Sequence, residues 1–82
     1  MPSTRFADGL SNARMDWVKL VGATIRKFRL SRGMTIEALA LAANVNPRYL
    51  GSIERGKNSP SVVVLGRLAK ALGVHPADFF HG

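Results

Sequence analysis

Few residues in this 82-residue chain can do chemistry, and most of those are cations. Twelve Lys and Arg stand against five Asp and Glu, a net charge of +7. His75 and His81 bracket Asp78 behind Pro76, and three such groups could in principle hold a metal ion. Two surface histidines near the C-terminus are the simpler reading, so no metal is expected. There is no Cys, which rules out a disulfide framework and a thiolate metal site and suits a reducing cytoplasm. No Ser/His/Asp set, paired carboxylates or glycine-rich phosphate loop is present at a catalytic spacing. Asp8-Gly9 and the scattered glycines read as turn signals. Neither an enzyme nor a cofactor is therefore expected. What remains is the basic field, which on so small a domain favours a polyanionic partner. Nucleic acid leads and an anionic membrane is the rival. The basic residues do not line one amphipathic helix, and no run approaches the roughly 18 apolar residues of a membrane span. A membrane partner is not expected.

The elements that must position these cations are helices. Hydrophobic content is 46 %, enough for one core in a single domain. Residues 1–15 are polar, without a clear period, and read as a flexible N-terminal arm; the domain then spans residues 16–82. Trp17, Val18, Val21, Ile25 and Phe28 recur at three- and four-residue intervals, the stripe of a first helix capped at Asp16 and stopped by Gly33. Thr35 is the cap of a short second helix, with Glu37 in its first turn and Ile36, Leu39, Ala40 and Ala43 on its apolar side. Asn46-Pro47 opens a third helix, because Asn caps well and Pro at the first position loses no bonded donor. Leu50 and Ile53 face its core and Gly56 ends it. Ser61 caps a fourth helix through Val62, Leu65, Leu68, Ala69 and Leu72, stopped at Gly73. A fifth, short helix opens at Pro76 and carries Phe79 and Phe80.

The second and third helices are joined only by Ala43-Asn44-Val45-Asn46. So short a link prevents them from lying antiparallel and turns the start of the third helix outward, as in a helix-turn-helix from about Thr35 to Gly56.

At this point the chain resembles a known family. Ile25-Arg26-x-x-Arg29, Gly33-Met34-Thr35, Leu39-Ala40, Ile53-Glu54-Arg55-Gly56, Ser59-Pro60-Ser61 and Leu68-Ala69-Lys70-Ala71-Leu72-Gly73-Val74 follow one another as in the Xre/Cro-like helix-turn-helix family. The resemblance covers about residues 21–80. It implies an all-α, five-helix, lambda-repressor-like DNA-binding domain. It also implies that bases are read from the first turns of the third helix, here by Pro47, Arg48, Gly51 and Ser52. Of these, Arg48 has the fork that matches guanine O6 and N7. Phosphate contacts are expected from Thr35 with the free N–H groups of the second helix, and from Tyr49, Arg55, Lys57, Asn58 and Ser61. The family often carries Gln at the second place of the second helix, where this chain has Ile36. The resemblance further implies a structural ion pair between Arg29 and Glu54.

The expected function is a sequence-specific transcriptional regulator that binds double-stranded operator DNA as a homodimer. Val63, Leu65 and Phe80 offer apolar surface beyond the needs of one core and are the expected dimer contacts. With no second domain expected, no small-molecule ligand is expected either, and control would come from concentration. Restriction–modification controllers and Cro-like phage repressors are the nearest kinds within the family. The alternative is an antitoxin-like module that keeps the fold but binds a protein.

Overall fold

The computed structural model describes the backbone of residues 3–81 and the side chains of residues 17–81. Four α-helices follow in order: α1 (Ser3–Ser31), α2 (Ile36–Ala43), α3 (Pro47–Glu54) and α4 (Val62–Leu72). The expected short fifth helix, opening at Pro76, is present as a 3₁₀ helix over Pro76–Phe80. No strand occurs among the described residues. α1 is bounded at Ser3 rather than at Asp16, so Asp16 lies inside the helix and is not its cap. The expectation of a flexible arm over residues 1–15 lies outside the residues whose side chains are described.

Each helix end has a local chemical cause. The Thr35 hydroxyl accepts from Ala38 N–H at 3.0 Å and starts α2. Asn46 Oδ1 accepts from Arg48 N–H at 2.8 Å and Tyr49 N–H at 3.2 Å, which starts α3. The Ser61 hydroxyl accepts from Val64 N–H at 3.1 Å and starts α4. Asn44 ends α2 in the left-handed region, at φ 56° and ψ 50°. Asn is among the few non-glycine residues that adopt this conformation at small cost. The chain reverses there, and Val45 N–H returns to the Ala40 carbonyl at 2.9 Å.

The core is one cluster. Ile25 from α1, Leu39 from α2, Leu50 and Ile53 from α3, Leu68 from α4 and Phe79 from the 3₁₀ turn are all fully buried. Two members of the expected stripes are exposed. Trp17 is 49 % exposed and leans on Phe80 at 5.7 Å between ring centroids. Val62, the first residue of α4, is exposed because the helix has only begun to approach the core there.

His75 and Asp78 close the 3₁₀ turn on itself. His75 Nδ1 accepts from Ala77 N–H at 3.1 Å, and Asp78 Oδ2 accepts from His75 N–H at 3.1 Å. Both side chains are thus occupied as caps, and no cluster of metal-ligating residues occurs among the described residues. A contact that sequence reasoning missed ties the C-terminal half to α1. Arg32 Nε donates to the Leu72 carbonyl at the end of α4, at 2.6 Å, while its guanidinium lies 5.2 Å over the Phe28 ring. A cation on terminal helix carbonyls satisfies acceptors that have no partner within the helix.

Candidate nucleic-acid interface

α3 is the element whose placement decides the site. Leu50, Ile53 and Glu54 fix its inner side in the core. Its opposite stripe carries Pro47, Arg48, Gly51, Ser52 and, at the helix end, Arg55, which recur at three- and four-residue steps.

Two supports behind α3 set its position. The first is Gly22 of α1. A Cβ built there would lie 2.0 Å from the Ile53 carbonyl oxygen, so the two backbones meet at a distance that only glycine permits. The second is the Arg29–Glu54 pair. Arg29 Nε donates to Glu54 Oε2 at 2.8 Å and Nη2 donates to Oε1 at 2.9 Å, a bidentate fork. Arg29 Nη1 also donates to the Met34 carbonyl at 2.8 Å. Both partners are buried, 7 % and 8 % exposed. The hydrogen bond from Glu54 pushes the Arg29 guanidinium above its ordinary value, ahead of the opposing effect of burial. One pair thereby joins the end of α1, the loop before α2 and the end of α3.

The expected base-reading residues do not share one environment. Pro47 and Arg48 are exposed. The Arg48 side chain makes no hydrogen bond or ion pair among the described residues. Gly51 is buried, against the expectation that it would face a base: a Cβ there would meet the Arg55 guanidinium at 3.2 Å and the Ile36 side chain at 3.9 Å. Ser52 is half-buried and its hydroxyl is engaged. It donates to the Tyr49 carbonyl at 2.7 Å and accepts from Asn58 Nδ2 at 2.6 Å. This hydroxyl keeps one lone pair but has no proton left to offer a base.

The expected phosphate contacts lie at the starts of α2 and α4, on the loop after α3, and on α3 and its end. Thr35 and Ser61 are exposed caps. Each spends a lone pair on a backbone N–H, so each hydroxyl proton stays available to a phosphate oxygen. Lys57 and Asn58 are exposed on the loop after α3, and Asn58 holds that loop to α3 through Ser52. Tyr49 is half-buried with its ring against the core. Arg55 is exposed.

Between the first described turns of α1 and the Ser59-Pro60 stretch lies an apolar groove of about 220 Å³, lined by Trp17, Val18, Val21, Ser59, Pro60, Leu65 and Phe80. It runs beside the expected dimer contacts. Val63 is 62 % exposed, Phe80 is 42 % exposed, and Leu65 is half-buried in the groove wall.

Comparison with known proteins agrees with this geometry. A model of the helix-turn-helix family matches residues 25–79. An uncharacterised HTH-type transcriptional regulator, y4dJ of Sinorhizobium fredii, is 42 % identical over 73 % of this chain and 78 % of its own length. The control protein C.BamHI of Bacillus amyloliquefaciens is 38 % identical over 72 % of this chain and 74 % of its own. Among solved structures, the restriction-modification controller protein C.AhdI of Aeromonas hydrophila superposes with a TM-score of 0.74 at 35 % identity, covering 79 % of this chain and 97 % of that one.

Proposed function

The chain belongs to the helix-turn-helix family of DNA-binding transcriptional regulators, and on that premise we propose that it reads operator DNA through α3 as a homodimer. The observation that carries this reading is Arg48. It stands exposed in the first turn of α3, on a helix start held by the Asn46 cap, with no protein partner competing for its fork among the described residues. Its planar donors suit guanine O6 and N7, a contact worth about 1–3 kcal/mol of discrimination.

Thr35 and Ser61 at the starts of α2 and α4, and Lys57 and Asn58 on the loop after α3, supply sequence-independent phosphate contacts, while Tyr49 and Ser52 lie half-buried on α3. The likeness to controller proteins supports a small regulator of that kind. Among the described residues no helix is long and apolar enough to cross a membrane. A cytoplasmic regulator fits that and the absence of Cys.

Selection of bound sites from random double-stranded DNA at two salt concentrations tests the reading. One enriched motif is expected, with binding that weakens steeply as salt rises. In Arg48→Ala, preference at one guanine should fall about ten-fold or more while the circular dichroism spectrum stays unchanged. Failure of the wild-type protein to enrich any motif would sink the proposal.

The dimer rests on the apolar surface of Val63, Leu65 and Phe80 beside the groove. Two copies joined there would present two α3 helices to successive major grooves, so half-sites about 34 Å apart are expected. Val63→Asp should leave the monomer folded, because Val63 is exposed, and should shift sedimentation from dimer to monomer. A wild-type protein that sediments only as monomer at high micromolar concentration contradicts this arrangement.

A further inference from the structure

Of the five residues on the outward stripe of α3, three cannot donate a hydrogen bond to a base as they stand. Pro47 and Gly51 have no polar side chain, and the Ser52 proton is given to Tyr49. Arg48 and Arg55 are left. They are seven residues apart, within about 20° of one another around the helix and about 10.5 Å apart along it. That spacing alone would leave Arg55 at the far end of α3. The missing side chain at position 51 changes this. The Arg55 guanidinium folds back one turn along α3, and its Nη1 lies 3.2 Å from where a Gly51 Cβ would be. Neither a hydrogen bond nor an ion pair holds the Arg55 side chain among the described residues, and Glu54, the nearest acid in sequence, is committed to Arg29. The notch at Gly51 thus admits a second uncommitted fork to the middle of the stripe.

We infer that Arg55 is a specificity-determining residue, which reads a second guanine in each operator half-site from its seat over Gly51 and beside the base read by Arg48. This deepens the proposed function and rests on it. It differs from a phosphate role for Arg55, because losing a phosphate contact weakens all sequences alike, whereas losing a contact to guanine O6 and N7 relaxes preference at one position.

Site selection with Arg55→Lys and Arg55→Ala tests it, alongside wild type and Arg48→Ala, with circular dichroism to confirm that each variant is folded. Arg55→Lys keeps the charge and loses the fork. The expected result is loss of preference at one guanine, distinct from the position that Arg48→Ala relaxes. Discrimination there should fall about 10- to 100-fold, with the salt slope nearly that of wild type. A motif unchanged in Arg55→Lys, with Arg55→Ala weakening all sequences equally and lowering the salt slope by about one, would overturn the inference and make Arg55 a phosphate contact. That outcome leaves the proposed function standing. A wild-type protein that selects no motif overturns both, so the two failures are told apart within one experiment.

Discussion

Glu54→Ala is expected to destabilise the fold by about 3–5 kcal/mol, because it leaves the Arg29 guanidinium buried with its charge unpaired. Arg29 then keeps only the Met34 carbonyl as a partner, through Nη1. Desolvation that the carboxylate had offset becomes a net cost, and the end of α3 loses its anchor to α1. Arg29→Ala should be similarly severe, since it strands the Glu54 carboxylate and the Met34 carbonyl together. Arg29→Lys restores charge but not the two-pronged fork, so it should recover only part of the loss. Replacing both residues by apolar side chains of similar volume should be far milder than either single change, because no charge is then left buried. Urea unfolding of the four variants checks this. Single variants whose midpoints match wild type would show that the pair adds nothing to stability. A double apolar variant as unstable as the singles would show that the cost is lost packing and not stranded charge.

Gly22→Ala is expected to cost about 3 kcal/mol or more. Overpacking a core typically costs about 1–3 kcal/mol where flexible side chains can yield. Here the new methyl would meet the Ile53 carbonyl oxygen at 2.0 Å, with the Ile53 carbonyl carbon and the Glu54 carbonyl oxygen close behind, and backbone cannot swing aside. α1 and α3 must separate. That opens the core at Ile53 and lengthens the Arg29–Glu54 bonds at the other end of the same contact. For a domain of this size each kcal/mol lowers the midpoint by about 4–8 °C, so a fall of roughly 15 °C or more is the expected thermal result. Any folded remainder should bind DNA more weakly, since α3 is the element displaced. An alanine variant that melts with wild type would mean that α1 and α3 do not approach as closely as described.

These two supports differ in how they could be read beforehand. Arg29 and Glu54 stood within pieces that resemble the family, so their pairing was an expectation. Gly22 carried no such mark. It sits between Val21 and Ile25 in a helical stripe, and a lone glycine inside a helix says nothing about which backbone approaches it. Arg32 carried no such mark either, and its partner is the Leu72 carbonyl, forty residues away.

The helices that carry the site were legible in the chain because their ends are local chemistry. Thr35, Asn46 and Ser61 each cap the helix that follows, and Asn44 turns the chain between α2 and α3, all within three or four residues of the groups they bond. The basic field and the outward start of α3 followed from composition and from the length of the link. The fate of each side chain on α3 did not follow, because it depends on neighbours from other elements. Ser52 and Asn58 were expected as separate contacts to DNA, and the packed structure joins them by a hydrogen bond. Gly51 was expected at the surface and is covered by Arg55. Local periodicity assigns a residue to a face; only the packed structure decides whether its polar atoms are still free there. Along α3 and its C-terminal cap that leaves Arg48, and Arg55 above Gly51, with forks uncommitted among the described residues.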